Sequence, residues 1–157
     1  MTKQYLRRAT ENLPDYSSGA AVVFSPIHSA AGLAPMMLAA YLGTPDYEGE
    51  DLAATEQAIT DAMAGCWGDW IAAASFAAVV DDEPVGAIFM VEGESEPYIA
   101  FVFTHPEYQG RGIAAALIVH AIEALGISGR PSVGLYVSKD NARALALYRQ
   151  LGFAPVD

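Results

Sequence analysis

A chain of 157 residues that is 53% apolar, 10% aromatic and 17% charged is sized and composed for one domain with a sizeable core, which excludes a disordered tail or a collagen-like segment. The formal net charge of −11 disfavours nucleic acid as a partner, because phosphate binding needs a basic surface. No uncharged run reaches the ~20 residues of a membrane span, and Met1 to Thr10 carries Lys3, Arg7 and Arg8 with no apolar stretch behind them, so a cytoplasmic protein with no membrane partner is expected.

Met1 to Gly19 has no clear periodicity, and Asn12, Pro14, Asp15, Ser17, Ser18 and Gly19 read as loop; a partly mobile N-terminal arm is expected. Ala20 to Ser25 reads as a short strand stopped by Pro26. Ser29 is placed to cap a helix with apolar positions at Leu33, Met36, Met37, Ala40 and Tyr41 and a stop at Gly43. A turn-rich acidic loop, Thr44 to Glu50, leads into a second helix over Asp51 to Ala64 with Ala54, Ala58, Ile59 and Ala62 inward. Cys66 is the single cysteine, which rules out an internal disulfide or a cysteine-based zinc site and reads as a small buried core residue.

Ile71 to Val80, Val85 to Val91 and Tyr98 to Thr104 read as three strands. Their connectors, Asp81 to Pro84 and Glu92 to Pro97, are short enough to join only antiparallel neighbours, so the three form a meander. The third strand ends at His105 and Pro106 and runs into Gln109, Gly110, Arg111, Gly112, Ile113 and Ala114, after which Ile113, Leu117, Ala121 and Leu125 recur in helical spacing as far as Gly126. Glycines between a strand end and a helix start let backbone amides turn outward together, and with the helix dipole they make a site for a phosphate or pyrophosphate. Val133 to Ser138 reads as a strand parallel to Tyr98 to Thr104, because a helix separates them. A last helix spans about Asp140 to Leu151 and closes at Gly152 and Phe153. His28, His105 and His120 are too scattered for a metal site; His120 is expected on the exposed side of its helix.

Asn141 and Tyr148 stand seven residues apart, two helical turns, and so share one face with Leu145 between them. Together with the Gly-rich loop, this pattern resembles the GNAT superfamily of acyl-CoA-dependent N-acetyltransferases. Gln109 to Ala114 matches that family's Gln/Arg, two residues, Gly, one residue, Gly/Ala signature, preceded by the typical Pro106, Glu107 and Tyr108; Asn141 to Phe153 is similar to its second motif. The resemblance implies an α/β (α+β) fold with a mixed, mostly antiparallel sheet, a splayed parallel strand pair and about four flanking helices.

It also implies roles. Acetyl-CoA is the expected acyl donor, with no metal. Amides of Val102, Phe103 and Thr104 would pair with the pantetheine arm; Gln109 and the run Gly110, Arg111, Gly112, Ile113, Ala114 and Ala115 would hold the pyrophosphate, with Arg143 adding charge. Asn141 would bond the pantetheine, and Tyr148 would face the sulfur and protonate the departing thiolate. Direct attack by the amine requires no nucleophilic Ser or Cys. Members often carry an acidic base on the strand after the long helix, where this chain has Tyr136, so Glu50, Asp46 and Glu48 in the acidic loop become the candidate bases, Glu50 first among them. Members usually add two strands beyond the last motif, whereas Phe153 is followed by four residues; a truncated sheet, or an edge completed by a second subunit or by the N-terminal arm, is the expectation, which leaves a homodimer open.

The charges are unevenly placed. From Ala9 to Gly110 there is no Lys or Arg and there are 16 of the 19 acidic residues, while Arg111, Arg130, Lys139, Arg143 and Arg149 follow. An anionic cofactor therefore suits the last third and a cationic acceptor the rest. The acceptor is expected to be a primary amine of a small molecule or peptide, with Tyr41, Tyr98 and Tyr136 lining its pocket. A non-catalytic acyl-CoA-binding sensor is the alternative, and Tyr148 speaks against it.

Overall fold

The computed structural model describes residues 2–14 and 22–156. Among these are seven strands, β1 (Lys3–Ala9), β2 (Val23–Pro26), β3 (Phe76–Val80), β4 (Glu83–Glu92), β5 (Pro97–Thr104), β6 (Ser132–Ser138) and β7 (Ala154–Pro155), and four α-helices, α1 (Ala34–Tyr41), α2 (Leu52–Met63), α3 (Ile113–Ile127) and α4 (Ala142–Gln150). The strands form one sheet in the order β2-β3-β4-β5-β6-β1-β7. Its pairings are antiparallel except β5 with β6, which run parallel and are in register only at Tyr98 with Gly134 and Ile99 with Leu135. Beyond Ile99 the two strands part, as the mixed-sheet reading expects.

The sheet separates two apolar layers. α3 is apolar on nearly every side, as a helix sunk in a core must be, and it buries Leu117, Ala121 and Leu125 with Ile88 and Met90 of β4. On the opposite face Ala87 and Phe89 of the same strand pack with Met36 and Met37 of α1 and Ile59 of α2. β4 is thus covered on both sides, which explains its nearly unbroken apolar run.

Several local expectations are corrected. The N-terminal arm is not loop throughout: Lys3–Ala9 pairs antiparallel with β6 along its whole length and takes β7 on its other edge. Only Leu6 of the segment is fully buried, so its strand character comes from pairing with residues far along the chain. That arm completes the sheet edge beyond β6. The early loop's Asp15, Ser17, Ser18 and Gly19, and Ala20 and Ala21 of the first expected strand, lie outside the described residues. Ser29 does not cap α1; Leu33 holds the N-cap position without a side-chain bond, and Pro35 stands in the first turn. Asp51 caps α2 through Ala54 N at 2.8 Å, and Ala54 is exposed while Thr55 is buried in its place.

The expected strand from Ile71 begins only at Phe76, because Ala72–Ala74 is a 3₁₀ turn. Buried Ser75 holds that turn: its Oγ donates to Ile71 O at 2.8 Å and accepts from Trp70 Nε1 and Met90 N, each at 2.9 Å. Cys66 is exposed, not part of the core. His120 is not on an open helix face either; its ring stacks on Phe24 at 4.2 Å and meets Phe76 edge-on at 4.4 Å. Burial holds its pKa below the usual histidine value, with Glu123 opposing. A depressed folded value means the native state favours the neutral ring, so this stabilisation is intact above the unfolded pKa of ~6.5 and is lost as pH falls through the folded one. Replacing His120 by Phe is expected to flatten the decline in melting temperature between pH 7 and 5, read by calorimetry; an identical decline in both proteins would refute the assignment.

The closed end of the parallel pair is stitched by polar groups. Glu96, 5% exposed, accepts from Tyr5 Oη at 2.6 Å, from Arg7 Nε at 2.8 and 2.7 Å, and from Ser132 Oγ at 2.5 Å. Burial acts to raise its pKa, but the bonds from Ser132, Tyr5 and Arg7 outweigh it and hold the carboxyl below its usual range. Gly134 leaves the space that the Tyr5 phenol fills. No helix among the described residues is long and apolar enough to cross a membrane.

Candidate active site

Where β5 and β6 part, a cleft of about 610 Å³ opens. One half of it is bounded by the end of β5, the following loop and the head of α3. Gly110 and Gly112 both have φ +80, a left-handed backbone that side chains disfavour, and together they swing the chain from the strand into the helix. α3 has no side-chain cap and no acidic residue in its first turn, so the opening amides of Ile113, Ala114 and Ala115 have no capping partner there. A Cβ at Gly110 would meet nothing within 4 Å. Gln109 steadies the loop, donating through Nε2 to Thr104 O at 3.2 Å and accepting from Arg143 Nη1 at 3.4 Å. Thr104 Oγ1 is buried with no hydrogen-bond partner among the described residues. An orphaned hydroxyl, uncapped amides and open space above glycine fit a bound polar chain ending in phosphates.

Val102, Phe103 and Thr104 line this half, as do Gln109, Gly110, Gly112 and Ile113 to Ala115, with Asn141 and Arg143 opposite. Arg111 is not brought in: its guanidinium lies 4.8 Å over the Tyr108 ring and donates to Glu107 O at 3.3 Å. Asn141 caps α4 by accepting from Ala144 N at 3.2 Å and donates through Nδ2 to Asp46 Oδ2 at 2.6 Å. Tyr148 also lines the cleft, packed edge-on against Phe153 at 6.0 Å. Its phenol is pushed well above the usual tyrosine pKa by burial, then by Tyr41 and Asp46, so it stays protonated. Among the described residues its hydroxyl makes no hydrogen bond.

The other half is walled by the loop between α1 and α2. Tyr41 donates to Val102 O at 3.3 Å, and burial raises its pKa. The three acids of the loop are committed to different degrees. Asp46 accepts from the buried Ser138 N at 2.9 Å and from Asn141, and lies 3.6 Å from Lys3 Nζ. Glu48 lies 3.5 Å from the same ammonium. Among the described residues the Glu50 carboxylate accepts only from Glu48 N, at 3.2 Å, and has no cation partner, while the Glu50 carbonyl accepts from Tyr47 Oη at 2.8 Å. Tyr136, 58% exposed, lines the cleft and packs on Tyr5 at 4.8 Å. Tyr98 stands behind it, 6.0 Å away edge-on, outside the cleft. Among the described residues no group of three or more His, Cys, Asp or Glu is placed to hold a metal.

Two residues of this wall escape sequence reasoning. Trp67, 42% exposed, meets Phe101 edge-on at 5.4 Å and lines the cleft; its signal is an aromatic enclosed by Gly65, Cys66 and Gly68 in a loop. Gly68 has φ +133 and lies so close on Glu92 O that a side chain has no room, which fastens the indole in place. Lys3, the first residue of β1, is the other.

A mixed sheet parted between two parallel strands, with a glycine-turned helix head and a phenol lining the gap, is the arrangement that the resemblance to the GNAT superfamily implies. The acetyltransferase (GNAT) family model matches residues 42–153, so the chain belongs to that family. The mycothiol acetyltransferase of Nocardiopsis dassonvillei is 38% identical over 81 residues, 52% of this chain and 21% of that protein; the chain spans about a fifth of that curated relative's length. A GCN5-related N-acetyltransferase from Sphaerobacter thermophilus superposes with TM-score 0.75 at 17% identity, over 98% of this chain and 48% of that one. The PaiA N-acetyltransferase of Thermoplasma acidophilum, solved in complex with coenzyme A, gives 0.67 at 17% identity over 85% and 90%.

Proposed function

We propose that the protein moves an acetyl group from acetyl-CoA to a primary amine by direct attack, and that the amine is a cationic small molecule or a peptide amine with an apolar body, met in the cytoplasm. The observation that carries this reading is the shared cleft: uncapped amides at the head of α3 and the protonated Tyr148 phenol line one half, and the carboxylate of Glu50 lines the other. The helix head and Arg143 suit the diphosphate, since charge-assisted bonds of about 1.5–3 kcal/mol each offset repulsion from an acidic protein. Asn141 bonds the pantetheine arm with what its cap and Asp46 leave of its amide. A phenol whose ionisation is opposed is a weaker acid than a thiol, so Tyr148 gives a hydrogen bond to the sulfur as negative charge builds there.

An alkylamine of pKa ~10.4 must lose a proton before it attacks. Asp46 is saturated by donors and Glu48 faces Lys3, which leaves Glu50 as the base. Trp67 and Phe101 supply the apolar wall for the acceptor's body. Thiol release measured with acetyl-CoA and a panel of amines tests the reading, with cationic amines carrying aromatic or aliphatic groups expected to be the best acceptors; tight binding of acetyl-CoA with no turnover of any amine would leave a sensor instead. Glu50→Gln is expected to lower activity most at the acid end of the pH profile, and an unchanged profile removes Glu50 as base.

A further inference from the structure

We propose that Lys3 is an internal acceptor, a site at which the protein acetylates itself. The proposal rests on the acetyl-transfer reading above. Lys3 is opposite Ser138 in the β1–β6 register, two residues along from the Tyr5–Tyr136 pair, so its side chain shares the face that carries Tyr136. It lines the same cleft as Asn141 and Tyr148. A short chain of contacts links its amine to the phenol's helix: Lys3 Nζ is 3.6 Å from Asp46 Oδ1, and Asp46 Oδ2 is 2.6 Å from Asn141 Nδ2. Asp46 is near enough to Tyr148 to oppose ionisation of its phenol. The ammonium is not locked there. Its side chain is 39% exposed, against 12% for Asp46 and 62% for Glu48; the exposed pair with Glu48 holds weakly, and the 3.6 Å separation from Asp46 is no tight hydrogen bond.

The chemistry balances with acetyl-CoA as the one co-reactant. The ammonium gives a proton to Glu48 and thence to solvent; the nitrogen then bonds the acetyl carbonyl carbon as the carbon–sulfur bond breaks. The electron pair leaves on sulfur, and the second proton shed by the new amide nitrogen ends on that thiolate. Acetylated Lys3 is neutral, so the carboxylates it faced become free for a cationic acceptor.

The sequence holds only two lysines, Lys3 and Lys139. Lys139 is exposed on the turn after β6 and does not line the cleft, so it reports ordinary chemical acetylation. The full chain is incubated with isotopically labelled acetyl-CoA and mapped by tandem mass spectrometry over time. Lys3 is expected to gain label at least about ten-fold faster than Lys139, as a held amine does relative to a free one, at a rate independent of protein concentration. Tyr148→Phe should abolish that excess, and Lys3→Arg should remove the fast label while the protein still folds. Equal rates at the two lysines overturn the proposal, as does label on a heavy-isotope Tyr148→Phe chain mixed with the wild type, which would mean transfer between molecules. An unlabelled Lys3 in a protein that turns over an amine from the panel also overturns it and leaves the transferase reading standing; no turnover and no label would remove both.

Discussion

Tyr148→Phe is expected to slow thiol release from acetyl-CoA about 100-fold, the usual loss when one donor aimed at a developing negative charge is removed, with the affinity for acetyl-CoA nearly unchanged. The geometry behind this is the unbonded hydroxyl in the cleft and the triple opposition of burial, Tyr41 and Asp46 to its ionisation. Phe keeps the ring that packs on Phe153, so the fold stays intact and the deficit falls on kcat. Steady-state kinetics with the best amine of the panel, alongside calorimetry with a non-transferable CoA compound, makes the check. A variant within a factor of about two of the wild type in kcat would show that no donor acts at the sulfur from this position.

Asp46→Ala is expected to be the most damaging substitution in the loop between α1 and α2, although Asp46 first reads as a candidate base. Its carboxylate is the acceptor for the amide of Ser138, a residue with no exposed surface, and for the side chain of Asn141. Removing it strands a buried N–H at a cost of about 2 kcal/mol, which for a chain of this length lowers the melting temperature by roughly 4–8 °C. Acetyl-CoA affinity should fall as well, because Asn141 loses the partner that orients its amide. Differential scanning calorimetry and a binding titration test both halves, and an unchanged melting temperature would mean that the loop is held by other contacts.

The parts of this molecule that could be read in the sequence are those set by local pattern. The β3–β4–β5 meander, the turn of Gly110 and Gly112 into α3, and the Asn141–Tyr148 face of α4 follow from period, turn chemistry and spacing, which act within a few residues. What escaped depends on distant partners. β1 shows one inward apolar residue, Leu6, and becomes a strand because β6 supplies its hydrogen bonds. His120 is enclosed because β2 and β3 bring Phe24 and Phe76 over it. Asp46 reads as one of three candidate bases until the end of β6 is seen to need an acceptor, and Trp67 joins the cleft wall where Gly68 and Asp69 seat its loop on Glu92.

The position of β1 also bears on synthesis. Its partner β6 begins at Ser132, so the opening strand must wait for more than 120 further residues before it can dock. At the ~5–20 residues per second of a ribosome, that wait lasts on the order of 6–25 s. Throughout it, the edge of the nascent segment that β6 will occupy is open to chaperones, and a fusion partner joined ahead of Lys3 would emerge beside the mouth of the cleft.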